Sequence, residues 1–135
     1  MAATANSIIT PQTPKSNTVV CTSANTTYGP APTNTQKLVT AGPNGARLTK
    51  LRAIPQATVT ATQLQEFRSL DAGATKRFTN GALLAAYTMA QTTAPPAADF
   101  GYSDDSPKIL SANEEIHVGI GVTGTVTFEA EWADY

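Results

Sequence analysis

The 135 residues suffice for one domain with a single core and are too few for two. Only 14% of them are charged, against a usual ~25%, and Thr, Ala, Ser and Asn fill the deficit, a composition that suits strands and subunit contacts. With a formal net charge of -1, scattered Lys and Arg and no basic run flanked by aromatics, the chain lacks the footprint of a nucleic-acid binder, and no stretch reaches the ~18 apolar residues of a membrane span.

Residues 1–16 differ from the rest. Ala, Thr, Ser and Asn surround one apolar pair, Ile8 and Ile9, and Pro11 and Pro14 follow. Each proline lacks a backbone donor and pushes its predecessor toward extended geometry, so this segment is expected to be an extended arm, with a frayed terminus as the alternative. Because the segment has neither a positive n-region nor an apolar h-region, it does not read as a signal peptide, and synthesis in the cytoplasm is expected.

From residue 17 onward, short β-type runs alternate with turn clusters, the rhythm of an antiparallel all-β sandwich or barrel. Strands are expected at residues 18–22, 36–40, 46–54, 63–69, 75–79, 83–89, 108–110, 116–122 and 125–132. Gly42-Pro43-Asn44-Gly45 combines a fixed negative φ with residues that tolerate a positive one, and Asp71-Ala72-Gly73 and Asn80-Gly81 read as similar turns. Leu48 and Leu51 are out of phase, which predicts a bulge near Thr49 and Lys50. Leu64, Phe67 and Leu70 have helical spacing, but the β-branched residues Thr58, Val59, Thr60 and Thr62 before them favour a strand. The Pro95-Pro96 pair belongs in a surface loop.

The C-terminal pattern is the most legible. Ile116, Val118, Ile120 and Val122 alternate with polar residues and glycines, and so do Val126, Phe128, Ala130 and Trp132. A two-residue turn at Thr123-Gly124 would put the apolar set of one strand on the polar face of the other. The connection therefore needs an odd-length loop, a bulge or a switch between sheets.

The search for chemistry finds no catalytic constellation. His117 is the single histidine, on the polar phase of a strand, and is expected to be solvated or at an interface. Asp104-Asp105 and Glu114-Glu115 lack the spacing of a calcium loop and are expected to be solvated acids. Cys21 lies in an apolar run and reads as a small buried hydrophobe. Trp132, Phe128, Phe67 and Phe78 read as core aromatics in preference to a sugar platform. No catalytic residue, metal or cofactor is assigned.

Asn25-Thr-Thr-Tyr28, Asn44-Gly-Ala-Arg-Leu-Thr-Lys-Leu-Arg-Ala53, Thr58-Val-Thr-Ala-Thr-Gln-Leu-Gln-Glu-Phe-Arg-Ser69, Ile116-His-Val-Gly-Ile-Gly-Val122 and the ending Glu131-Trp-Ala-Asp-Tyr135 together resemble the capsid decoration, or cement, proteins of tailed phages. The likeness covers residues 17–135, with Ala133 where the family ending has glycine. It implies a jelly-roll-like β-sandwich over 17–135 behind the arm. It also implies a trimer on the virion's capsid exterior, bound to the major capsid protein, with no enzymatic activity. Ile8, Ile9, Pro11 and Pro14 are the candidate capsid- or subunit-binding residues. The alternative is a carbohydrate- or receptor-binding jelly-roll module of a phage tail fibre or spike.

Overall fold

The strand and turn chemistry resolves into nine strands in the computed structural model, which describes residues 11–135: β1 (Thr13–Cys21), β2 (Gln36–Thr40), β3 (Ala46–Pro55), β4 (Thr62–Ser69), β5 (Arg77–Leu84), β6 (Ala98–Asp99), β7 (Lys108–Leu110), β8 (Glu115–Ile120) and β9 (Val126–Asp134). Among the described residues there is no helix. One sheet has the order β1-β9-β3, with β6 and β7 both paired to β3; the other has the order β2-β8-β4-β5, and every named strand pair is antiparallel.

The pairs β1–β9, β2–β8, β3–β7 and β4–β5 are nested, as if one long hairpin had been rolled into two layers. That is the jelly-roll-like β-sandwich. The β8–β9 connection switches sheets, which resolves the parity conflict at Thr123-Gly124. A register shift between Leu48 and Lys50 marks the expected bulge in β3.

Burial follows the period-2 pattern. Leu48, Leu51, Leu64, Ile116, Val118, Ile120, Val126, Phe128 and Ala130 are wholly buried between the sheets, where each large apolar side chain contributes roughly 1.5 to 3 kcal/mol. Cys21 joins them, its Sγ against the Val118 carbonyl at 3.6 Å, and burial pushes its thiol up to about 12. Trp132 sits in the same core at 8% exposure. Gly45 turns into β3 with φ +87°, and a Cβ there would lie 2.5 Å from the Leu110 carbonyl oxygen.

Four expectations are corrected. β1 takes in residues 13–16, placed above in the arm, and Pro14 is tolerated because β1 is an edge strand. Asn80-Gly81 is no turn: β5 runs through it, the extra residue is absorbed at a register shift between Glu66 and Phe67, and Gly81 is needed for close approach, since a Cβ would meet Phe78 at 3.1 Å and the Leu64 carbonyl oxygen at 3.2 Å. β5 then ends at Leu84, so the strand expected at 83–89 is mostly loop. Phe67 is wholly buried, as expected, but on the outer face of β4, and half-buried Phe78 lies outside the inter-sheet core. Phe67 shares a face with its β8 partner His117, and its ring meets Phe78 edge-on at 5.7 Å, while Tyr28 stacks on Phe78 at 4.4 Å.

Candidate functional site

Of the surfaces that could meet a partner, the outer face of the β2-β8-β4-β5 sheet is largely covered by the chain itself. The β1–β2 loop crosses it. Buried Asn25 donates to Gln65 Oε1 at 2.8 Å, Gln65 returns a bond to the Asn25 carbonyl at 3.0 Å, and Tyr28 donates to Gln63 at 2.9 Å. Gly119 makes this possible, because a Cβ would meet Gln65 at 3.1 Å and Thr35 at 3.4 Å.

His117 and Glu115 lie on that covered face, contrary to the expectation of solvation. They are 7% and 8% exposed, joined by a 2.9 Å bond, with Gly73 above them and Lys37 at 4.0 Å from Glu115. Burial holds the imidazole below its ordinary pKa, with Lys76 and Lys37 acting in the same direction against the Glu115 bond. Among the described residues the imidazole's side-chain hydrogen bond is to Glu115, and the pair ties this part of β8 together beneath Gly73.

Glu114 is also misjudged as solvated. It is wholly buried, accepting two bonds from Arg68 and one from the Ser111 amide at 2.8 Å. Burial raises its carboxyl, but the Arg68 bonds and charge, the Ser111 amide and the charge on Lys108 outweigh it and leave the carboxyl below its usual value. Beside it on the inner face of β4, wholly buried Glu66 pairs with Lys108 and accepts from Tyr102 at 2.8 Å. Both carboxylates are committed to cations and donors. They staple β4 to β7 through Glu66 and to the β7–β8 loop through Glu114. Asp104 and Asp105 are exposed, as expected. Among the described residues, no three His, Cys, Asp or Glu side chains converge to hold a metal.

The sheet containing β1 offers the open surface. β1 is nine residues long, sits at the sheet edge and is exposed along nearly its whole length. Pro11 and Pro14 line a shallow groove of about 590 Å³ beside it, together with Ser16, Arg47, Thr49 and Glu131. Of the four candidate binding residues, the structure thus brings Pro11 and Pro14 together at one groove, and Ile8 and Ile9 lie outside the described residues. Lys15 anchors the strand to Asp134 at 2.7 Å. Sequence reasoning missed the groove because its other walls come from β3 and β9, far away in the chain.

Compared with protein-family models, with curated proteins and with solved structures, the chain matches none.

Proposed function

We propose that the protein is a virion structural protein that binds the outside of a tailed-phage capsid and clamps neighbouring capsid subunits. The observation that carries the reading is the exposed edge strand β1 beside the Pro11/Pro14 groove, at the point where the N-terminal segment joins the sandwich. A free edge provides a row of main-chain donors and acceptors for strand addition, and the rigid rolled sandwich behind it loses little entropy on docking. Copies held in one oligomer, a trimer in this reading, would add avidity to individually weak contacts. The family resemblance points the same way.

The test is binding to purified, undecorated capsids of the phage that encodes the chain. The full chain should bind, and a variant lacking residues 1–12 should bind more weakly while keeping its fold. If truncation leaves affinity unchanged, the arm does not carry the contact.

A second reading, a glycan-binding module of a tail fibre or spike, is favoured by one observation: Tyr28 is 52% exposed with its ring stacked on Phe78. Binding to surface polysaccharide that Tyr28→Ala abolishes would select it.

A further inference from the structure

The nine Lys and Arg and ten Asp and Glu are not evenly distributed in the chain. Residues 16–36, 53–65, 78–98 and 118–128 contain none of them, and no histidine. The topology brings a loop from each of these four stretches to one end, although the first stretch also runs on across the outer sheet face to Lys76, whose amide donates to the Pro30 carbonyl at 2.9 Å. Each spans a loop at the same end of the sandwich: β1–β2, β3–β4, β5–β6 and β8–β9. The opposite end carries Asp71, Lys76, Asp104, Asp105, Glu114 and Asp134.

The charge-free end is built as one body. Val59 and Tyr87 exchange backbone bonds at 2.9 and 3.0 Å, the Gln56 amide donates to the Thr125 carbonyl at 2.9 Å, and the Gly124 amide donates to the Thr22 carbonyl at 3.2 Å. The Met89 amide donates to Thr58 Oγ1 at 2.9 Å. Exposed large apolar side chains also concentrate in these stretches. Val20, Leu83, Met89 and Val122 lie in the parts of them at this end, whereas Leu70, Ile109 and Tyr28, whose carbonyl accepts from the Phe78 amide on the outer sheet face, lie elsewhere among the described residues. Two shallow depressions sharing Tyr87 mark the surface, and no charged residue lines either.

We propose that this charge-free end is the contact surface between copies of this chain, which meet there around a rotation axis. In a closed symmetric assembly, residues near the axis face their own counterparts. A charge there meets the same charge, and both lose water without gaining an opposite partner. An end with no charge avoids both costs, whereas the opposite end would set Asp104 and Asp105 against themselves. The cores of protein interfaces are depleted of charge for the same reason, and loops already tied together lose little freedom on contact. A phosphate-bearing partner would find no cation here. The inference rests on the proposed oligomer and names the face that forms it.

The test is sedimentation equilibrium of the full chain over a wide concentration range at about 50 mM and about 1 M NaCl, where the screening length falls to ~3 Å. The wild type should be oligomeric, with a dissociation constant that changes little with salt. Met89→Asp and Thr123→Asp replace exposed side chains, and each should weaken association at least tenfold with an unchanged melting temperature, more at low salt than at high. Asp105→Lys, at the other end, should leave association unchanged. An oligomer that persists in the Met89→Asp/Thr123→Asp double variant places the contact elsewhere and overturns the inference while sparing the oligomer. A wild type that stays monomeric overturns both. A monomer whose capsid binding is lost in the same variants gives this end to a different protein and likewise overturns contact between copies.

Discussion

Glu66 is the side chain whose replacement should cost most for its size. It is wholly buried on the inner face of β4; its carboxylate pairs with Lys108, whose side chain is 11% exposed, and accepts from Tyr102. Glu66→Leu leaves the ammonium with two neutral partners, Thr79 Oγ1 and Tyr102 Oη, each at 3.2 Å. Removing one partner of a buried pair typically costs about 3 to 5 kcal/mol, a large share of a total stability of roughly 5 to 15 kcal/mol. Replacing both, in Glu66→Leu/Lys108→Met, removes the uncompensated charge. Tyr102 loses an acceptor but keeps the bond from Asn80 at 3.2 Å, so the double variant should fall within about 2 kcal/mol of the wild type. Urea unfolding monitored by circular dichroism reads this directly, because an m-value of about 1 to 3 kcal/mol per molar turns the single-variant loss into a midpoint drop of about 1 M or more. If Glu66→Leu costs under about 1 kcal/mol, or if the double variant costs the sum of the two singles, the pair is not a desolvated staple and the reasoning fails.

Other consequences can be checked with the same protein. Trp132→Ala should destabilise by about 3 to 5 kcal/mol, and the native single tryptophan, 8% exposed, should resist iodide quenching. Deleting residues 1–12 should leave the melting temperature nearly unchanged, whereas deleting 1–16 removes part of the β1–β9 ladder and the Lys15–Asp134 pair and should lower it measurably by calorimetry. The Glu114 carboxyl is held below its usual value, so its contribution is present above the unfolded pKa of about 4.3 and is lost as pH falls through the folded value. Glu114→Gln should therefore be less stable than the wild type at pH 7, with the gap closing in acid melts. His117 is likewise held below its ordinary value by burial, so its neutral form favours folding above about pH 6.5; stability should decline as pH falls below that, and His117→Gln should flatten this part of the profile.

The legible parts of the sequence are those in which one side-chain property decides. Ile116, Val118 and Ile120, then Val126, Phe128, Ala130 and Trp132, define their strands because every second residue is large and apolar. Their parity even foretold that the Thr123-Gly124 connection needed a device such as a change of sheet. The illegible parts are those in which a polar residue sits in an apolar setting. Glu66 shares the inner face of β4 with Leu64, and nothing local reveals that Lys108 of β7 and Tyr102 of the β6–β7 loop arrive from far along the chain to neutralise it. His117 and Glu115 occupy the outward phase as expected, yet that face is buried by loops from elsewhere in the chain. Asn80-Gly81 carries a turn's chemistry and serves a strand, where a side chain at Gly81 would crowd Phe78 and the Leu64 carbonyl. The groove at Pro11 and Pro14 needed the sheet order before its other walls could be named.

Charge segregation shows the same limit at the scale of the whole molecule. Read along the chain, Lys and Arg look scattered, because each uncharged stretch is followed by a charged one. The nested pairing folds that alternation back on itself. Successive connections lie at alternate ends of the roll, so a charge pattern that repeats with the strands becomes a pole-to-pole asymmetry in three dimensions. The two poles are also held by different forces. The charged end is fixed by the Arg68–Glu114 and Lys108–Glu66 pairs, whereas backbone bonds tie the loops of the uncharged one. Acid, which protonates Glu114, therefore acts on the first and leaves the second largely untouched. A contact surface placed at the uncharged end can keep its shape over conditions that loosen the other.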